Sequence, residues 1–167
     1  MLKIIKSMSE LDIEQLMAVY AQTNETYSTR SYPDASLLER RRRTENTMLS
    51  YLREDFFRRK GSFYAVWQCG GVYRSALRLE VYADGYLITS LETAPEARRM
   101  GYAYALLQAV LSYLCESGCP AVYAHIEKRN VASLRLHEKC GFAIISDSAS
   151  YIDGTVTQKS CTVCCQL

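Results

Sequence analysis

Between Phe63 and Thr93 the chain becomes rich in aromatic and β-branched residues, and two tight-turn dipeptides, Gly70-Gly71 and Asp84-Gly85, divide the stretch. The segments Phe63 to Gln68, Val72 to Tyr82 and Tyr86 to Thr93 are therefore expected to be three consecutive antiparallel strands joined by short hairpin turns. No other feature constrains the fold as much, because such a meander must bury at least one face against other elements. The flanking sequence supplies the cover. Residues 2 to 6 read as a short strand. Ser9 precedes a helical pattern at Leu11, Leu16, Val19 and Tyr20 that ends near Gln22 to Asn24 and gives way to a loop. Asp34 can cap a second helical region whose apolar stripe runs from Leu37 and Leu38 through Met48, Leu49 and Leu52 to Phe56 and Phe57, with a break near Thr44 to Thr47 and an end at Gly61.

Beyond the meander, Ala103, Leu106, Leu107, Val110, Leu111 and Leu114 share one face of a helix that starts at Arg99 and stops at Gly118 and Pro120. A strand at Ala121 to Ile126 follows. Asn130 opens a shorter helix that closes at Gly141, and Phe142 to Ile145 with roughly Thr155 to Val163 make a last hairpin. This order implies an α+β, three-layer α/β/α architecture, with a mixed, mainly antiparallel sheet of six or seven strands covered on both faces.

The 167 residues, 49% hydrophobic and 23% charged, show no repeat or low-complexity tract and suit one globular domain spanning 1–167. A net charge of +2 does not fit a dedicated nucleic-acid binder. The run Arg40 to Arg43, with Arg53, Arg58, Arg59 and Lys60, leaves an acidic-partner or nucleic-acid module as an alternative. Four consecutive arginines nevertheless point around a helix rather than along one groove-reading face, so a solvated helix also explains them. The start, Met1 to Lys6, lacks the apolar run of a secretory signal, and no stretch approaches the ~18 apolar residues of a spanning helix, so a cytoplasmic protein without membrane contact is expected. The seven cysteines are odd in number and read as reduced, mostly buried thiols. Cys161, Cys164 and Cys165, with Cys115 and Cys119, form only a partial metal-ligand pattern, and no metal is expected.

The segment from Leu91 to Ala103 passes from strand through loop into helix. The first N–H groups of a helix lack internal partners and the helix dipole adds positive charge there, so a pyrophosphate can satisfy both. Gly101 and Ala103 let a ligand approach the backbone, and Arg98 and Arg99 add charge beside it. Taken alone, the same residues also describe an ordinary helix start with solvated arginines.

The six residues Arg98-Arg99-Met100-Gly101-Tyr102-Ala103 match the acyl-CoA signature of the GNAT superfamily of N-acetyltransferases: Arg or Gln, two residues, Gly, one residue, Gly or Ala. The stretch Asn130-Val131-Ala132-Ser133-Leu134-Arg135-Leu136-His137-Glu138-Lys139-Cys140-Gly141-Phe142 is similar to that family's second signature. The specific resemblance covers Leu91 to Phe142. It implies fourth and fifth strands that splay apart to receive the pantetheine arm of acetyl-CoA, with the backbone near Leu91 and Thr93 facing the acetyl carbonyl. Asn130 and Ser133 would lie along the cofactor, although Asn130 also reads as a plain helix cap.

The implied reaction is acetyl transfer from acetyl-CoA to a primary amine, on a small molecule or a protein, by direct attack in a ternary complex. A backbone N–H at about Thr93 is the expected oxyanion donor. Glu92 is the candidate base, on the face opposite Leu91 and Thr93 unless a bulge intervenes. Glu80, Tyr82 and Tyr86 are looser candidates. His137 occupies the place where the family usually carries a thiolate-protonating Tyr. It can donate a proton, hold the cofactor by a hydrogen bond, or simply pack in its helix. Tyr27 and Tyr32 would line the acceptor pocket if their loop covers the wedge. A non-catalytic acyl-CoA sensor is the second alternative, and an exposed edge at the C-terminal strands offers a route to a homodimer.

Overall fold

Alternation along the central strands loads both faces of the sheet with apolar side chains, so each face needs its own helical layer. In the computed structural model, which describes residues 1–167, strands β2 (Phe63–Cys69) and β3 (Val72–Tyr82) turn Phe63, Ala65, Leu77 and Leu79 to one side and Tyr64, Val66 and Ala76 to the other. Helix α4 (Tyr102–Glu116) buries Leu106, Leu107, Val110, Leu111 and Leu114 on the first face. Helices α1 (Ile13–Val19), α2 (Ala21–Ser31) and α3 (Leu37–Glu54) cover the second, with Leu16, Val19 and Leu52 in its core beside Phe56. No helix is long and apolar enough to cross a membrane.

The sheet has seven strands in the order β1-β2-β3-β4-β5-β9-β6, where β1 is Leu2–Ile5, β4 Gly85–Thr93, β5 Ala121–Glu127, β6 Ala143–Ser146 and β9 Ser160–Gln166. All pairings are antiparallel except β4 with β5. Helix α5 (Val131–Lys139) links β5 to β6. A separate two-stranded ribbon, β7 (Ala149–Ser150) with β8 (Val156–Thr157), interrupts the last hairpin, so its return strand starts at Ser160 rather than near Thr155.

The N-terminal third departs most from the sequence reading. Asp12, not Ser9, caps α1 by accepting the Gln15 N–H at 3.1 Å, and residues expected in a loop form α2. Ser36, not Asp34, caps α3 by accepting the Glu39 N–H at 3.3 Å. The expected break near Thr44 to Thr47 does not occur: α3 runs through it unbroken, with the Thr47 hydroxyl donating back to the Arg43 carbonyl at 2.9 Å. Three of the clustered arginines are engaged locally: Arg40 donates to the carbonyls of Tyr32 and Pro33, and Arg42 and Arg43 pair with Glu39.

The parallel pairing of β4 and β5 covers only Tyr86, Leu87 and Ile88 against Val122, Tyr123 and Ala124. Its beginning is tight: a Cβ on Gly85 would lie 1.8 Å from the Ala121 carbonyl oxygen. Beyond Ile88 a bulge bends β4 away. Arg78 pairs Thr89 while Ala76 pairs Glu92, so Leu77 faces both Ser90 and Leu91, and Ser90 takes φ +52°. The Tyr20 hydroxyl clamps this bulge by donating to the Ser90 carbonyl at 2.7 Å. β5 meanwhile stays paired to β9 through Glu127, and a wedge opens between β4 and β5.

Candidate active site

The wedge leads to the start of α4. After a 3-10 turn at Pro95–Ala97, Arg99 and Gly101 adopt φ +63° and +82°, and Gly101 caps α4 without any side-chain cap bond. The first N–H to close on the helix from this cap is that of Ala105, which donates to the Gly101 carbonyl at 3.0 Å, so the N–H groups before it face outward. A Cβ built on Gly101 meets no atom within 4 Å. The glycine is thus needed for its backbone angle, and the space before it is open to a ligand.

A cleft of 580 Å³ lies along this turn. It gathers Leu91, Glu92, Thr93, Arg98, Arg99, Gly101, Tyr102 and Ala103 on one wall and Asn130 and Ser133 from the start of α5 on the other. Met100 is exposed and lies outside this lining. The Asn130 side chain accepts the Ser133 N–H at 3.1 Å and caps α5.

Strand geometry orients the backbone of β4. The Ala94 N–H donates to the Arg74 carbonyl at 3.0 Å, which turns the Thr93 N–H to the opposite edge, the one facing the wedge. The bulge settles the face of Glu92. It pairs Ala76 and lies on the α1–α3 side, where its carboxylate accepts the Thr23 hydroxyl at 2.7 Å. Arg98 folds back over the strand end, donating to the Thr93 carbonyl at 3.3 Å and to Gln22, with Nη2 3.9 Å from Glu92.

A second cavity of 510 Å³ continues the cleft deeper between β4 and β5, sharing Leu91, Asn130 and Ser133 and adding His137. His137 is only 2% exposed and packs edge-on against Phe142. Its Nδ1 lies 2.9 Å from the Ser133 carbonyl, which can only accept, so Nδ1 carries the hydrogen. Burial holds the imidazole below its ordinary pKa of 6.5. In that neutral ring, Nε2 is a bare acceptor, and it has no partner within the protein.

Several candidates suggested by the sequence lie elsewhere, some because of the altered N-terminal helices. Tyr27 is within α2 and Tyr32 ends it, and the two rings pack on each other rather than lining the wedge. Glu80 is buried and held by Arg59; Tyr82 donates to the Ser150 carbonyl; Tyr86 packs on Phe63 at the far end of β4. Conversely, Tyr20, Gln22, Thr23, Arg78 and Ser90 all touch the site, and none carries a local motif. The only signal is indirect, in the expected end of the first helix near Gln22.

A sheet opened between its fourth and fifth strands, with a glycine-capped helix at the mouth, defines the acyl-CoA N-acyltransferase class of fold. The chain belongs to the acetyltransferase (GNAT) family, whose model matches residues 16–142. It is 32% identical over 108 residues to a mycothiol acetyltransferase of Nocardiopsis dassonvillei, in a match covering 59% of this chain and 32% of that relative, so the alignment spans about a third of the relative's length. Among solved structures it is similar to the PaiA N-acetyltransferase of Thermoplasma acidophilum in complex with coenzyme A, at 13% identity and TM-score 0.66, over 100% of this chain and 99% of that one. It also resembles the ribosomal-protein-S18-alanine N-acetyltransferase of Escherichia coli, at 16% identity and TM-score 0.61, over 99% and 94%.

Proposed function

We propose that this protein transfers the acetyl group of acetyl-CoA to a primary amine by direct attack in a ternary complex. The observation that carries the reading is the continuity of the Thr93 N–H edge of β4 with the N-terminus of α4, which no side chain caps, along one cleft. The pyrophosphate meets the outward N–H groups around Gly101, with Arg99 beside it. The pantetheine arm runs along the open edge of β4, and the Thr93 N–H, a fixed dipole, stabilises the charge that develops on the acetyl oxygen.

Glu92 takes the proton of the attacking nitrogen. Thr23 and Arg98 orient its carboxylate without occupying every lone pair. His137 does not serve as a standing acid, because a neutral ring with Nδ1–H bound to a carbonyl offers only an acceptor at Nε2. It accepts a hydrogen bond from the bound cofactor, and the thiolate gains its proton from solvent at the cleft mouth.

Initial rates over a matrix of acetyl-CoA and amine concentrations test the reading, with CoA quantified chromatographically because the free, exposed thiols of Cys69 and Cys115 would consume thiol reagents. Intersecting double-reciprocal lines are expected. Parallel lines would overturn direct attack, and acetyl-CoA binding without turnover on any amine would leave an acyl-CoA sensor.

A further inference from the structure

One cation in the wedge makes no direct ion pair within the chain. Arg78 pairs Thr89 across β3 and β4, so it lies on the α1–α3 face and reaches the bulge, where Nη2 donates to the Ser90 hydroxyl at 2.5 Å. Its guanidinium carbon stands 5.1 Å from the Tyr51 ring centre and 5.8 Å from that of Phe56. Its Nε is buried without a hydrogen-bond acceptor. No carboxylate lies within 4.0 Å of it. The neighbouring carboxylates are all engaged: Glu80 with Arg59 and Thr89, Glu92 with Thr23 and Arg98, Glu127 with Arg129. Aromatic rings attract the face of a guanidinium but do not satisfy the donors along its edge. A partly buried arginine in this state gains from an incoming anion, which it can grip in a planar two-point contact.

We propose that Arg78 is an acceptor-specificity residue, binding an anionic group, a carboxylate or a phosphate, carried by the amine that the protein acetylates. The inference rests on the wedge being the site of acetyl transfer. Arg78, Ser90, Leu91 and His137 line the same 510 Å³ cavity, and Leu91 also belongs to the cofactor cleft. A small amine whose nitrogen reaches the bulge therefore places a group a few bonds away beside Arg78. An α-amino acid or an amino-alcohol phosphate has that form. A polycationic amine would instead bring its further charges up against the Arg78 guanidinium.

The test compares acceptor pairs that differ in the anion alone: each proteinogenic amino acid beside its α-amide, and O-phosphoethanolamine beside ethanolamine. The natural protein should favour the anionic member by about tenfold or more in kcat/KM, the scale of a charge-assisted hydrogen bond, and the preferred pair tells carboxylate from phosphate. Arg78→Met, which keeps the packing on Tyr51, should bring the ratio to within about threefold of unity and leave the KM for acetyl-CoA unchanged; Arg78→Lys, the second variant should Met unfold the protein, should fall between. Equal or better use of the neutral members, or a ratio that survives Arg78→Met, overturns the proposal. Calorimetry of N-acetyl amino acids, N-acetyl-O-phosphoethanolamine and the matching neutral N-acetyl amides on CoA-saturated and CoA-free protein reads the anion site even without turnover. Binding of an acid or phosphate alone, abolished by Arg78→Met and weakened by Arg78→Lys, supports it, and equal or absent binding refutes it. Failure of the acetyltransferase reading shows separately, as no acetyl-CoA binding or no transfer to any amine in either set.

Discussion

Helix α4 has a left-handed glycine at each end, Gly101 at φ +82° and Gly118 at φ +74°, and a Cβ at either meets nothing within 4 Å. Alanine at these positions therefore introduces backbone strain without steric contact. That strain is about 1–2 kcal/mol, partly offset by about 0.4–1 kcal/mol from a stiffer unfolded chain, for a net loss near 1 kcal/mol at both sites. In a domain of this size, thermal melts should fall by about 2–4 °C for each variant. Only Gly101 lines the cleft between β4 and α5 where acetyl-CoA is proposed to sit, so only there should its binding change. Gly101→Glu sharpens the contrast: a carboxylate ~5 Å from one phosphate charge, at an effective dielectric of about 40, costs ~1.7 kcal/mol, and two such charges raise this to ~3 kcal/mol, about a 100-fold loss of affinity. Calorimetric titration of acetyl-CoA into the natural protein, Gly101→Glu and Gly118→Glu reads the difference directly. Equal affinities for the two glutamate variants, at matched melting temperatures, would refute the placement of the pyrophosphate at this turn.

Gly85→Ala should destabilise by about 3 kcal/mol or more, lowering the melting temperature by roughly 6–12 °C, because its Cβ would fall 1.8 Å from the Ala121 carbonyl oxygen, which is backbone and must move; a shift under 2 °C would contradict that contact. Glu92→Gln should lower kcat by about 100-fold with the acetyl-CoA KM nearly unchanged and stability within ~1 kcal/mol, as its ion pair is partly exposed; a kcat within threefold of the natural protein removes Glu92 as the base. Burial holds both His125 and His137 below 6.5, so each contributes stability that is present above pH 6.5 and lost as pH falls through its folded value. Melts from pH 8 to pH 5 should show stability declining below about pH 6.5, and His137→Phe should make that decline shallower; an unchanged slope would contradict a neutral buried His137.

The parts of this protein visible in its sequence were those governed by local chemistry. The alternation from Phe63 to Thr93, the two turn dipeptides, the apolar face of α4 and the turn from Arg98 to Ala103 each depend on neighbours in the chain, and the structure has β2, β3, β4 and α4 close to where that reading places them. Asn130 was readable as the α5 cap for the same reason. The N-terminal helices were less legible: Tyr20 joins α1 to α2 with no glycine or proline to mark the change, and the polar α2 has few apolar residues to give a period. The face of Glu92 could not be assigned from alternation alone, because it depends on a one-residue bulge created by pairing with β3. Likewise, the unpaired guanidinium of Arg78 and the burial that leaves His137 Nε2 without a partner come from packing among segments distant in the chain, whereas the His137 Nδ1 hydrogen points to the Ser133 carbonyl one turn back in α5. Sequence by itself determined the family and the glycine turn that opens α4, since propensity and spacing are properties of the chain. Tertiary structure alone decided which side chains meet in the wedge, because burial, register and the supply of counterions exist only once distant strands and helices come together.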